Sequence, residues 1–186
     1  MVEDEIFAGE DYAHGRPFDQ EVHACSFERC DFTESDLSEV TFVDCTFEGC
    51  NLSMADLAGA SLQGARFEEC KLVGLDFGAV NDFGFSVEFD GCKLDYASFE
   101  GQEMPETEFS ESSLRETVFT GADLTESVFD DCDLSGAVFV RTVLESADFR
   151  SAHHFSIDPE RNRIREARFS RDGLEGLLHT YEIEVE

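Results

Sequence analysis

The side chains that could hold a metal, attack a substrate or move a proton are seven cysteines, five histidines and 43 carboxylates in 186 residues. Cys30, Cys50 and Cys70 recur every twenty residues, a spacing that would stack three thiols on one wall and invite a metal column. Yet all seven cysteines (Cys25, Cys30, Cys45, Cys50, Cys70, Cys92 and Cys132) fall in one slot of a five-residue pattern. Ala, Ser and Thr fill that slot elsewhere, so it selects for small size, and a free cysteine packs there as a small hydrophobe. Their odd number also argues against paired disulfides. His153 and His154 are adjacent and His14, His23 and His179 stand alone, as solvated or structural histidines do. The carboxylates are too many and too regular for any pair to mark acid–base catalysis. The sequence holds no Gly-rich phosphate loop, paired metal motif or nucleophile elbow. It therefore predicts a protein that is not an enzyme, with no catalytic, cofactor-binding or metal-binding residues.

The elements that must position these groups follow the same pattern. Every fifth residue from Phe89 to Phe149 is large and apolar, as in Phe89, Leu94, Phe99, Met104 and Phe109. Two residues before each stands a position that is nearly always small, such as Cys92, Ala97 and Thr107. A period of five is neither the 3.6 of a helix nor the 2 of a strand, and marks a repeat architecture. The same pattern runs in another phase from Val22 through Phe27, Phe32 and Leu37 to Phe77. Twelve residues separate Phe77 from Phe89, so a two-residue insertion lies within residues 78–88. The strict frame would bury Asp82; Phe83 is expected to take that core position instead.

Two pentads have the form Ala-Asp-Leu-x-x: Ala55-Asp56-Leu57-Ala58-Gly59 and Ala122-Asp123-Leu124-Thr125-Glu126. With 25 pentads between about residues 20 and 152, the chain resembles the pentapeptide-repeat family. The fold this resemblance implies is all-β: a right-handed quadrilateral β-helix with four pentads per coil, here with a short C-terminal helix. Stacking the chain at that spacing gives three segments. Residues 1–19 are a lead-in or cap, 20–152 the β-helix, and 153–186 a capping and dimerisation segment. The first wall is a Phe column from Phe27 to Phe149, unbroken across the insertion.

Charge bounds the function. Net charge is −30, from 43 acidic and 13 basic residues, yet 41% hydrophobic residues and 19 Phe in periodic array argue for a packed core over disorder. No apolar run approaches the ~20 residues of a membrane helix, and no secretory signal opens the chain. A soluble, cytoplasmic protein with no membrane contact is expected. Residues 20–149 hold 29 acids and 6 bases, a net of −23. Roughly 6.5 coils at the ~4.8 Å strand spacing span about 31 Å. That is about 0.7 negative charges per Å, against about 0.6 for duplex DNA. Direct nucleic-acid binding is disfavoured, since phosphates would be repelled. Two adjacent walls are expected to form an acidic, partner-binding face. The first carries Glu28, Glu48, Glu68, Asp90, Glu108, Glu111, Asp130, Asp131 and Asp148, and the fourth carries Glu103, Glu106, Asp123, Glu126 and Glu145.

After residue 152 the chemistry changes. Six of the 13 basic residues lie between Arg150 and Arg171. Arg161, Arg163, Arg165 and Arg168 are expected to pair with the acidic coil or a partner subunit. Ser170 suits the N-cap of a helix to about His179, with Leu174, Leu177 and Leu178 on one side. Tyr181, Ile183 and Val185 alternate with Glu182, Glu184 and Glu186 as in an edge strand. Leu174, Leu177, Leu178 and Tyr181 are the expected dimerisation residues. The runs Phe155-Ser156-Ile157-Asp158-Pro159-Glu160-Arg161-Asn162, Ala167-Arg168-Phe169 and Gly173-Leu174 through Leu178 resemble the tail of one branch of the family. That branch protects DNA gyrase from quinolones, albicidin or microcin. The resemblance implies a rod-like homodimer that mimics duplex DNA and binds DNA gyrase or topoisomerase IV. Two features depart from it: the long projecting loops of plasmid quinolone-resistance members are missing, and the charge is higher. The alternative is a structural or scaffold protein whose acidity serves solvation in a high-salt cytoplasm.

Overall fold

The computed structural model of the chain describes residues 1–19, 21–181 and 183. It is a right-handed, four-sided β-helix. The first wall is a nine-stranded parallel sheet running from Ile6–Ala8 to Arg168–Phe169. The fourth begins as a four-stranded parallel sheet of Val2–Glu3, Val22–His23, Thr41–Val43 and Ser61–Gln63. The second and third walls are held by single parallel bridges, such as Asp31↔Asn51 and Val118↔Val138. No described helix is long and apolar enough to cross a membrane.

Five residues make one side because two point inward and the fifth turns the corner. The large residue and the small one two places before it are buried, as with Phe109 and Thr107, while the residue between them faces out. Corners close in the left-handed region, and 19 of the described non-glycine residues adopt positive φ there, among them Glu34, Glu106 and Glu126. Side chains disfavour this conformation. The backbone N–H of most corners donates to the next coil, as in Glu34 N to Ser53 O at 3.0 Å.

Inside, the rings stack along the axis and meet edge-on across it. Phe109 and Phe129 lie parallel at 5.0 Å with 5° between planes, whereas Phe109 and Phe119 meet at 6.1 Å and 85°. Both are favourable aromatic geometries. The small slot adds a polar tie between coils. The thiols of Cys50 and Cys70 donate to the carbonyls of Phe27 and Phe47, both at 3.2 Å, and Thr142 Oγ1 does the same to Phe119 O at 2.8 Å. All seven cysteines are free and buried. Burial pushes the Cys45 thiol up to about 11 and the Cys132 thiol to about 12.

The ladders run past both ends of the span read from sequence. Val2 pairs with Val22 and Phe7 with Phe27, so residues 1–19 form a further coil. Phe18 turns in beneath it and packs on Phe7 at 5.8 Å and Phe27 at 5.7 Å, covering the open core. At the far end Val143 bridges Arg163 and Phe149 pairs with Phe169. Phe155 and Ile157 are buried against this last coil. The expected C-terminal helix is two short 3-10 turns, Leu174–Leu177 and His179–Tyr181, started by Ser170 Oγ accepting from Gly173 N at 3.1 Å. Gly176 is buried and pressed onto the cap. A Cβ there would stand 2.4 Å from Phe155 O. Of the expected edge strand, Tyr181 ends the second 3-10 turn, and Glu182, Glu184, Val185 and Glu186 lie outside the described residues.

One core assignment from sequence is corrected. Phe83 is 88% exposed, and Phe85 is the buried aromatic of the insertion, at 9%. The turn closed by Phe85 N to Asp82 O at 3.2 Å throws Asp82 and Phe83 outward and swings Phe85 in. Past this turn the fourth-wall sheet stops, and the wall resumes with the Glu103↔Asp123 bridge. Between residues 81–85 and 103–105 no backbone hydrogen bond is found among the described residues. Gln102 Nε2 fills in by donating to Phe77 O at 2.8 Å and Val80 O at 3.1 Å.

Phe119 is fully buried between Phe99 and Phe139. Phe119→Ala should cost about 3–5 kcal/mol by urea denaturation, from lost burial and a cavity. Phe83→Ala should stay within about 0.5 kcal/mol of the parent. Equal losses in the two variants would contradict this packing.

Candidate interaction surface on the carboxylate walls

The core register dictates what stacks outside. On the first wall Glu28 pairs with Glu48, Glu48 with Glu68, and Glu68 with Asp90. Four carboxylates thus stand in single file, one per coil, at the ~4.8 Å step of neighbouring strands. In the next file Arg66, Glu88, Glu108 and Val128 follow one another. On the fourth wall Glu103 bridges Asp123. Glu106 and Glu126 occupy its corner, and Glu69, Glu111 and Asp131 the corner after the first wall, all with positive φ. Aligned like charges destabilise a sheet. The third wall is different. Its later coils present Ser98, Val118 and Val138 in one bridged file, with Val138 38% exposed.

The fourteen acids expected on the face divide by what holds them. Glu48, Glu68, Asp90, Glu103, Glu106, Glu108, Glu111 and Glu126 have no side-chain hydrogen bond or ion pair among the described residues. Glu28 has only its neighbour Arg29, at 3.8 Å. The remaining five serve the fold. Asp123 accepts from Thr125 N at 3.0 Å and Thr125 Oγ1 at 2.6 Å. Asp130 accepts from Ser151 Oγ at 2.7 Å, and Asp131 lies 2.9 Å from His153 Nε2. Asp148 is clasped by Arg150 at 2.6 Å, with Arg168 at 3.9 Å. Glu145 binds Arg163 at 2.7 Å and Arg165 at 2.9 Å. The basic tail therefore folds back on the last coils and neutralises their acids. Hydrogen bonds from Arg163, then Arg165, hold the Glu145 carboxyl below its ordinary value, and Arg150 does so for Asp148.

Aspartates on the second and third walls do different work. Asp31 accepts from Thr33 N and Oγ1, and Asp36 from Ser38 N and Oγ, at 2.5–3.0 Å. Asn51 makes the same turn with Ser53. These are Asx turns, in which the side chain stands in for a backbone acceptor. The Asp of the Ala-Asp-Leu pentads belongs to this class, as in Asp56 accepting from Ala58 N at 2.9 Å. The signal was present in the sequence as an Asp directly before the large residue, with Ser or Thr two residues on at Asp31, Asp36 and Asp123. Ser38, then Arg16, lowers the Asp36 carboxyl, and Thr33 lowers Asp31. At Asp133 burial works against ionisation, but hydrogen bonds from Ser135, Arg115 and His154 outweigh it and the carboxyl is lowered.

No described group of three or more His, Cys, Asp or Glu side chains converges on a point that could hold a metal. The files are linear, and suit an extended cationic surface better than a single ion. At the C-terminal end Leu174 and Tyr181 are exposed and Leu177 and Leu178 half-buried, with Tyr181 Oη donating to Glu160 Oε1 at 3.2 Å.

The description "Pentapeptide repeat region" matches residues 20–99, and "Pentapeptide repeats (8 copies)" matches 86–121 and 117–153. No curated protein matches the sequence. Among solved structures, QnrB1, a plasmid-mediated fluoroquinolone resistance protein, superposes with a TM-score of 0.64 at 19% identity, over 97% of this chain and 99% of its own. HetL of the cyanobacterium Nostoc sp. strain PCC 7120, a pentapeptide repeat protein involved in heterocyst differentiation regulation, gives 0.48 at 19% identity, over 90% of this chain and 84% of its own.

Two outcomes test this division of the acids. Glu145→Lys should lower the melting temperature, because it removes both arginine pairs and opposes them with a third cation. Glu126→Lys should leave it unchanged or raise it; the reverse order would refute the assignment. The second test is pH. Asp31 and Asp36 have lowered folded-state values, so their contribution is present above the unfolded carboxyl value of about 3.9 and is lost as pH falls below it. Asp36→Asn keeps the turn, as Asn51 does, but not the charge. Its stability between pH 7 and pH 3, followed by urea unfolding, should fall less than the parent's.

Proposed function

Because the chain belongs to the pentapeptide-repeat family, we propose that it is a non-enzymatic DNA mimic whose acidic walls occupy the DNA-binding surface of a type II topoisomerase, DNA gyrase or topoisomerase IV. In this reading it protects that enzyme from inhibitors. The observation that carries the reading is the unbroken file Glu28–Glu48–Glu68–Asp90, set in register by the core. Nothing inside the fold rewards this alignment. A partner groove lined with Lys and Arg would, since duplex DNA presents a similar linear charge density of one per ~1.7 Å. Such a groove would also be found quickly through electrostatic steering. The likeness to QnrB1 supports the fold needed for a rigid acidic rod; fluoroquinolone resistance is that protein's property. The exposed Leu174 and Tyr181, beside Leu177 and Leu178, are proposed to join two copies into a longer rod.

The test is a gyrase supercoiling assay with and without a fluoroquinolone. The protein should inhibit supercoiling or relieve the drug at 50 mM salt, and lose about tenfold or more of that potency at 200 mM. A Glu48→Lys, Glu68→Lys, Glu126→Lys triple variant should fold normally and have no effect on the enzyme. A parent protein that leaves gyrase untouched at low salt would favour a scaffold whose acidity is solvation.

A further inference from the structure

Of the 19 phenylalanines, 16 are buried and Phe7 and Phe169 are half-buried, so Phe83 alone is exposed, at 88%. We propose that Phe83 is an aromatic anchor that enters an apolar pocket on the basic surface of the partner and fixes where along that surface the acidic rod settles. This rests on the topoisomerase reading and adds to it a contact that charge alone does not supply.

The pedestal under Phe83 is firmly built. Val80 on one side and Phe85 on the other are buried. Asn81 Nδ2 donates to Gly59 O at 2.7 Å, Gln102 Nε2 to Val80 O at 3.1 Å, and Ser86 N to Leu62 O at 2.9 Å. Gly84 takes positive φ, +72°, and lies against the Gln63 side chain. The tip is therefore held at both ends, and presenting the ring costs little conformational entropy. Phe83 has no work in the core, because Phe85 fills the place that the insertion opens. Large aromatics seated in a desolvated pocket dominate interface energetics.

The surroundings specify the partner. Asp82 precedes the ring, Glu88 opens the next side, and Glu103 and Glu106 follow on the same wall one coil on. An anionic membrane or a nucleic acid would be repelled by them. A protein with an apolar pocket bordered by Lys or Arg fits both the ring and its rim. A straight file of carboxylates can slide along a basic groove with nearly the same energy at each coil step, whereas one ring in one pocket allows a single register.

The test measures binding of the full-length protein to immobilised gyrase holoenzyme at 50 and 200 mM salt, for the parent, Phe83→Ala and a Glu106→Lys, Glu126→Lys pair. Phe83→Ala should melt like the parent, bind about 10- to 100-fold more weakly, and keep the parent's salt dependence. The charge-reversed pair should flatten that dependence. If the parent binds and Phe83→Ala binds within about twofold of it, the anchor is wrong and the mimic stands. If the parent does not bind at either salt, the topoisomerase reading falls and the anchor falls with it.

Discussion

Vertical stacking of like side chains is the constraint on which the rest depends. A phenylalanine column holds its register only if every coil repeats the same backbone step, and the rings from Phe7 to Phe169 keep it at 4.6–5.5 Å through nine strands. A parallel ladder with that register leaves the outside no freedom. Whatever residue type follows Phe27, Phe47, Phe67 and Phe89 must form a file of its own. Here it is Glu, Glu, Glu and Asp. The interior thus converts a sequence period into a line of charge, and function inherits its geometry from packing.

That line is tolerable because the core is continuous and the acids at the end of the shaft are quenched. Carboxylates one strand apart in water repel modestly, by an amount that salt reduces further. Against this stand dozens of fully buried apolar side chains. The arginines at 163 and 165 and at 150 and 168 answer Glu145 and Asp148 where the tail must lie against the last coil. Acidic residues therefore have three separate occupations in this chain: turn formation, tail docking and free display. Only the last leaves the carboxylate without a hydrogen bond or ion pair among the described residues.

Much of this was legible in the sequence, because a strict period constrains both faces of every side. The buried cysteines and the location of the insertion follow from counting alone, and the four walls from counting joined to the fold that the family resemblance implies. Both terminal coils were legible in principle as well. Val2, Phe7 and Tyr12 stand twenty residues before Val22, Phe27 and Phe32, and Ile164 and Phe169 twenty after Leu144 and Phe149. Off-step residues at Phe18 and Phe155 masked them, and these are the rings that bend inward to cover the ends. The choice between Phe83 and Phe85 was out of reach, since the Asp82–Phe85 turn decides it and hydrophobicity does not. Composition likewise could not separate a displayed glutamate from an aspartate occupied in a turn; the aspartate's place directly before the large residue was the distinguishing mark, joined by a hydroxyl two residues on at Asp31, Asp36 and Asp123.

The interrupted fourth wall has a mechanical consequence. Three rails of the shaft run past the insertion on backbone hydrogen bonds, while the remaining one is cut there and spliced by the side chain of Gln102. A tube slotted along part of one side resists compression nearly as well as a closed one but yields more readily to torsion. On that side alone a twist of one half of the shaft against the other would break no backbone hydrogen bond between the two coils, so any torsion would be taken up there first.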